Sequence, residues 1–201
     1  MILNRFITGT TFTLAMLVTL LFVPPAFSAA PAETFVTEMG NKAFASLSEK
    51  GLSSNERKTR FHALLRNVFD MPQIARFTLG RYWRIASNEE KTEFTELFER
   101  FFVQAYSNRF RDLSGKKFLV TQSRKISTSQ SLVLSEIIIP GKPSIKVNWR
   151  VRSKGINYKV IDVVVEGISM SVTQRDEFVS VIRQTGGRIS GLLRALRRKT
   201  K

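Results

Sequence analysis

The sequence has no cysteine, one histidine (His62) and half as many acidic as basic residues, 16 against 32 in 201 positions. Without cysteine there is no disulfide and no thiol chemistry, and one histidine does not by itself form a structural zinc site. P-loop, Rossmann and Gly-x-Ser-x-Gly signatures are missing as well. We therefore predict a protein that is not an enzyme, with no catalytic residue, no metal and no cofactor, whose stability comes from packing.

Two polar residues are the starting points for an enzymatic alternative. His62 follows Phe61 in a helix whose apolar face is already complete, so we interpret it as a surface residue. Asp162 stands between Ile161 and Val163 in the last predicted strand. We interpret Asp162 as a solvent-facing residue opposite a lysine or arginine, the alternative being a buried acid with a shifted pKa.

The N-terminus has the parts of a secretory signal peptide. A positive charge near the start is followed by an uncharged apolar run over residues 6–23, then by prolines and small residues. We predict that residues 1–28 are removed by cleavage near the Ser28–Ala29 bond, and that residues 29–201 form a single domain. A retained membrane anchor is the alternative, because the apolar run is close to the minimum length for spanning a bilayer.

The charge of the exported chain is strongly positive. The predicted signal peptide carries one basic and no acidic residue, so its removal leaves a net charge of +15. Such a charge predicts an anionic partner. For an exported protein we expect anionic lipid head groups or acidic protein surfaces, and no nucleic acid. The alternative is a solvated basic face that binds nothing specific.

Residue patterning predicts an α+β domain in the order helices, strands, helices. Capping signals at residues 53–56, at Asp70 and at residues 87–90 begin three of the helices. After Gly115 the hydrophobic period changes to two, which indicates strands. We therefore expect helices wrapped on a twisted four-stranded antiparallel sheet. Further predicted helices are 33–50, 174–185 and 188–198, and the predicted strands are 118–125, 131–139, 145–151 and 156–165.

The clearest strand alternates between two kinds of side chain. Val147 and Trp149 fall on one face, and Lys146 and Arg150 fall on the other. Twelve of the sixteen phenylalanines follow residue 28, many of them in the long helix 87–111. If that helix faces the strand without full contact, a long apolar pocket remains between them. The alternative is a large solid core.

A lipid is the ligand that such a pocket suits. Each exposed methylene costs about 0.8 kcal/mol in water, so a phospholipid with roughly 30 methylenes costs on the order of 20 kcal/mol to hold uncovered. A protein that carries it through water must enclose the chains, while the phosphate can remain outside near lysine or arginine. An apolar interior with a basic exterior is the composition that fits this task.

Two segments resemble a known family. They are residues 67–84, with the sequence NVFDMPQIARFTLGRYWR, and residues 162–170, with the sequence DVVVEGISM. Both are similar to the periplasmic MlaC family, also called toluene-tolerance proteins, and the likeness extends over nearly all of residues 29–201. The resemblance implies an NTF2-like shape that encloses an apolar lipid pocket, a periplasmic location and no catalysis.

The resemblance also implies a function. It points to a phospholipid-binding shuttle between the outer membrane and an inner-membrane ABC transporter, which maintains outer-membrane lipid asymmetry. The implied partners are phospholipid as cargo, a transporter complex with a ring-forming lipid-binding subunit, and an outer-membrane lipoprotein complex; we expect a monomer. A hopanoid-type lipid is an alternative cargo. A small NTF2-like enzyme that uses His62 or Asp162, and a basic interaction module with a solid core, are the alternative functions.

The pocket argument and the matched segments together define a predicted site. Arg81 and Arg84 flank an aromatic pair and are the candidates for binding the lipid head group. The predicted acyl-chain residues are aromatic and aliphatic side chains of the helices and of the last two predicted strands: Phe69, Ile74, Phe77, Tyr82, Phe98, Phe101, Phe102, Tyr106, Val147, Trp149, Val163 and Val165.

Overall fold

The computed structural model describes residues 31–110 and 115–201, and the predicted signal peptide lies outside them. No helix in these two ranges is long and apolar enough to cross a bilayer. The helical segments are α1 (Pro31–Leu47), α2 (Ser54–Val68), α3 (Met71–Leu79), a 3-10 helix (Gly80–Arg84), α4 (Asn88–Tyr106), a second 3-10 helix (Ser107–Phe110), α5 (Met170–Gln184) and α6 (Ile189–Lys199). The strands are β1 (Lys117–Ser127), β2 (Gln130–Ile138), β3 (Ile145–Lys154), β4 (Asn157–Val165) and β5 (Ile168–Ser169).

Local sequence signals explain where three helices begin. Ser53 caps α2 and Ser87 caps α4, each accepting a hydrogen bond from the amide three residues later, at 3.2 Å and 3.1 Å. Glu56 and Glu90 bond back to the capping residues, so both capping boxes are complete. Asp70 caps α3, with a proline in the first turn where a missing amide hydrogen costs nothing. These predicted helix starts are confirmed.

The strands form one antiparallel meander in the order β1-β2-β3-β4-β5. The predicted α+β class is confirmed, but the predicted four-stranded sheet is wrong, because the described sheet has five strands. Glu166 (φ 48°) and Gly167 (φ 83°) form a two-residue turn with positive φ at both positions. This turn returns Ile168 to the side of Val165. A strand of two residues is too short to show the alternation that identifies strands in a sequence.

Apolar side chains are buried in two clusters. The larger cluster lies among the helices and includes Phe98 of α4 and Leu47 at the end of α1. The smaller cluster lies between Val36, near the start of α1, and the sheet residues Val133 and Val151. Since α1 contributes to both clusters, it connects the helical part of the molecule to the sheet.

The contact between α1 and β1 is very close. The ring of Phe118 lies against the backbone of Gly40, where a Cβ atom would stand only 2.1 Å from a ring carbon. The same ring lies 5.9 Å from the Phe44 ring and 6.1 Å from the Trp149 ring, measured between centroids. Residue 40 must therefore be glycine for this packing, and Phe118 links α1 to β3.

The junction between α2 and α3 is attached to β4. Phe69 forms a parallel bridge with Val160, whose carbonyl accepts the amide hydrogen of Asp70 at 2.9 Å. The Asp70 carboxylate forms an ion pair with Arg152 of β3. Lys159 donates to two carbonyls in the last turn of α2, at 2.6 Å and 3.1 Å. The helices are thus held to the sheet by polar contacts at β3 and β4 as well as by the packing of α1.

Replacing Gly40 with alanine is expected to destabilise the fold. Alanine favours a helix by about 1 kcal/mol over glycine, but its methyl group would displace the Phe118 ring, and overpacking typically costs about 1–3 kcal/mol. We expect a net loss of roughly 1 kcal/mol in the free energy of unfolding, measured by urea denaturation. Asn41→Ala, at the next and exposed position, is the control and should not lower stability. A G40A protein more stable than the wild type would contradict the close contact.

Candidate functional site

The inner face of the sheet is the one that α1 packs against. Beneath α1 it is closed, since Val133 and Val151 are 0% and 1% exposed. Toward the opposite end of the same face the side chains stay apolar but, apart from Val147, are only partly buried. We call this set the apolar half-face; its members are Ile137, Ile145, Val147, Trp149, Val163 and Val165.

Cross-strand pairing joins the apolar half-face into one surface. Residues directly opposite each other on antiparallel strands have their side chains about 5 Å apart. The structure therefore brings together the four predicted sheet residues, and it adds two isoleucines that the sequence interpretation left out. The pairs are Ile137 with Ile145, Val147 with Val165, and Trp149 with Val163.

Trp149 is the largest side chain of this surface, and its orientation is determined by a hydrogen bond. Its indole Nε1 donates to the hydroxyl of Ser135 at 2.9 Å, and that hydroxyl donates to the carbonyl of Val147. Ser135 is buried on the neighbouring strand. The polar end of the indole is therefore satisfied within the sheet, which leaves its apolar rings available for packing.

A column of aromatic rings runs along α4. Phe94, Phe98, Phe102 and Tyr106 follow one another at helical spacing, with centroid distances of 5.7 Å, 4.6 Å and 5.1 Å. Phe178 of α5 packs against the first two rings. The column is fully buried at its start and half-buried at its end, and burial raises the pKa of the Tyr106 hydroxyl.

The remaining predicted acyl-chain residues are distributed over the helical part. Phe101 is half-buried and packs on the same aromatic column. Ile74 and Tyr82 are buried in the larger cluster. Phe77 is 39% exposed, with the Arg175 guanidinium 5.4 Å above its ring. The predicted residues thus fall into a sheet group, an α4 group and a dispersed set on α3 and its neighbours.

An open groove of about 630 Å³ lies between α2, α3 and α4. Phe69, Met71 and Trp83 supply its apolar wall, and the ammonium of Lys91 lies 5.9 Å from the Trp83 ring centroid. Among the predicted site residues it contains Phe69. Its other wall is charged and includes Glu99, so its chemistry is more mixed than that of the apolar half-face.

The two head-group candidates lie on the surface in the first 3-10 helix. Both Arg81 and Arg84 are exposed. Arg81 donates a hydrogen bond to the Tyr82 hydroxyl at 3.1 Å, and its guanidinium lies 5.1 Å from the same ring's centroid. The Arg81 side chain is therefore held in place by its neighbour.

The two polar residues of the enzymatic alternative are both engaged in structural contacts. His62 is half-exposed, in agreement with its interpretation as a surface residue, and its Nε2 is 2.5 Å from Oε1 of Glu99. The interpretation of Asp162 as solvent-facing is wrong, because it is only 7% exposed. Its carboxylate accepts from the Ser169 hydroxyl at 2.7 Å and from the Ser171 amide at 3.1 Å. Within the described ranges no three potential metal ligands cluster together.

These features describe an α+β protein in which one half of a sheet face is apolar and incompletely covered. A family model described as MlaC protein matches residues 37–198, from within α1 almost to the end of α6. The chain therefore belongs to the MlaC family, as residues 67–84 and 162–170 predicted.

A solved structure shares this fold. It is a phospholipid-binding protein from Ralstonia solanacearum, determined in complex with a phospholipid. The two chains superpose with a TM-score of 0.74 at 18% sequence identity, over 85% of this chain and 97% of that chain. At this level of identity the likeness establishes the common fold.

Replacing Asp162 with alanine is expected to destabilise the protein, because the Ser169 hydroxyl and the Ser171 amide would lose their acceptor at the start of α5. Leaving buried donors unpaired costs about 1–3 kcal/mol in the free energy of unfolding. Urea denaturation measures the change, with Asp176→Ala, an exposed acid in the same helix, as the control. Wild-type stability in D162A would argue against a structural role for this carboxylate.

Proposed function

We propose that this protein binds phospholipid by its acyl chains and carries it through the periplasm. The proposal rests on the family match over residues 37–198, supported by the fold shared with a protein solved with a phospholipid bound. The apolar half-face supports it further, because partly exposed valine, isoleucine and tryptophan side chains are the surface that acyl chains would cover.

Binding removes apolar surface from water on both the protein and the acyl chains, which is favourable for each. Covering apolar area gains about 25 cal/mol per Å², and every methylene removed from water gains about 0.8 kcal/mol. The half-face has no polar group that binding would leave unpaired at its centre, because the Trp149 indole is already bonded to Ser135. The lipid phosphate stays outside, near the exposed arginines of the first 3-10 helix.

The predicted site residues take different roles in this proposal. The half-buried ones line an apolar pocket of NTF2-like shape between sheet and helices, and the fully buried ones support it from behind. The lining residues are Phe101, Phe102, Tyr106, Trp149, Val163 and Val165, the supporting residues are Ile74, Tyr82, Phe98 and Val147, and Phe69 and Phe77 lie at the margins. Arg81 and Arg84 are the head-group candidates.

The wider role follows from the family. We propose that the protein is exported, loses its signal peptide near the Ser28–Ala29 bond and acts as a monomer. In this role it would pass lipid between an outer-membrane lipoprotein complex and an inner-membrane ABC transporter with its ring-forming subunit, and so maintain outer-membrane lipid asymmetry. The net charge of +15 after signal removal supports contact with anionic surfaces at both ends of the route.

Direct extraction tests the binding function. We expect the folded protein, purified from the periplasm of the producing cell, to release phospholipid into organic solvent at up to one molecule per chain, detected by mass spectrometry. A folded sample that contains no lipid, and takes none up from vesicles, would contradict the proposal. A hopanoid in the extract in place of phospholipid would correct the cargo.

Neighbouring residues on β4 provide a matched pair of variants. Val163 lies on the inner face beside Trp149, whereas Val164 lies on the outer face opposite Asn148. Val163→Trp should fill part of the site, and excluding even two methylenes lowers affinity by about tenfold. Val164→Trp adds the same side chain on the other face and should retain lipid. Equal lipid content in both variants, measured by mass spectrometry, would exclude the apolar half-face as the binding surface.

A further inference from the structure

Two arginines that are far apart in the sequence, Arg81 and Arg183, lie near one tyrosine hydroxyl. Tyr82 is only 5% exposed, and its hydroxyl accepts a hydrogen bond from Arg81 at 3.1 Å. The Arg183 side chain of α5 lies near enough to the same hydroxyl to act on its pKa. The Arg81 hydrogen bond, with a further contribution from Arg183, holds the pKa of Tyr82 below its ordinary value. The polar end of the buried ring thus has the Arg81 guanidinium in contact with it and Arg183 nearby.

These two positive charges have no negative partner in the described parts of the chain. Neither Arg81 nor Arg183 takes part in any of the ion pairs found there. Asp176 is on the same side of α5 as Arg183 but lies seven residues earlier, about 10 Å along the helix axis. Two like charges brought to one point without a counter-charge favour the binding of an anion.

A third arginine lies against the backbone of the turn that carries Arg81. Gly80 has φ 55° at the start of the 3-10 helix, and a Cβ atom there would stand 3.0 Å from Nε of Arg175. Arg175 is therefore a third cation beside the same turn, held over the Phe77 ring. The glycine lets α5 and its arginines approach the turn that carries Arg81.

We propose that Arg81, Arg183 and the Tyr82 hydroxyl form a binding site for an oxyanion of the phosphate class. Each guanidinium can present two parallel N–H groups to such an anion, and the tyrosine is a third side chain that can donate, through its hydroxyl. The anion comes either from the phosphate of a lipid head group or from free phosphate. The lipid source rests on the function proposed above, whereas the free-phosphate source does not.

Titration of the exported protein with inorganic phosphate at low ionic strength, followed by calorimetry, tests the site. Arg81→Gln and Arg183→Gln should each lower phosphate affinity by about tenfold or more, because each removes charge-assisted hydrogen bonds. Arg198→Gln removes one exposed charge from α6 and should bind phosphate like the wild type. Arg183 is exposed, so its variant should remain folded even if the Arg81 variant does not. Wild-type affinity in R183Q, or an equal loss in R198Q, would overturn the proposal.

A second arm separates the two sources of the anion. The same variants are loaded from vesicles containing either phosphatidylglycerol or diacylglycerol, which lacks the phosphate. Selective loss of phosphatidylglycerol in R81Q and R183Q supports the lipid head group as the natural anion. Unchanged lipid binding together with lost phosphate binding supports free phosphate. If the wild type takes up neither lipid, the proposed carrier function fails, while the phosphate titration still decides the site.

Discussion

The contact between the Phe118 ring and the backbone of Gly40 is the constraint on which the arrangement of helices and sheet depends. Only glycine lets α1 come so close to β1, and α1 in this position contributes to both apolar clusters. The edge of one ring packs against the face of the other between Phe118 and Trp149, and the Trp149 indole is held in turn by its hydrogen bond to Ser135. This chain of contacts sets the boundary between the closed and the open parts of the inner sheet face.

Elements governed by local interactions could be predicted from the sequence. The capping boxes at Ser53 and Ser87 involve residues three apart, so their signals are complete within the sequence window. The alternation of apolar and polar side chains along β3 is likewise visible in the sequence itself. Asp162 was misjudged although it does lie directly opposite Arg150 on the neighbouring strand, as expected. Its burial depends on Ser169 and Ser171, which return through a turn that the sequence interpretation did not identify.

The candidate site was predictable where periodicity determines which side chains share a face, as in the sheet residues and the α4 column. It was not predictable on α3, where Ile74 is buried and Phe77 is exposed although both are apolar and three residues apart. The difference comes from the packing of α5 against α3, which is a tertiary contact. The approach of Arg183 to the Tyr82 hydroxyl beside Arg81 has the same origin, because Arg183 belongs to α5.

The two faces of the sheet give a carrier two interactions that respond differently to salt. Lys146 and Arg150 are exposed on the outer face, and attraction between such charges and an anionic membrane weakens as ionic strength rises. In the proposed function, acyl chains on the inner face would be held by the hydrophobic effect, which does not weaken in this way. In the proposed function, a protein of this design can leave a membrane surface easily while it keeps its cargo. On this proposal, the strict alternation of β3 is the sequence feature that would separate membrane docking from cargo retention.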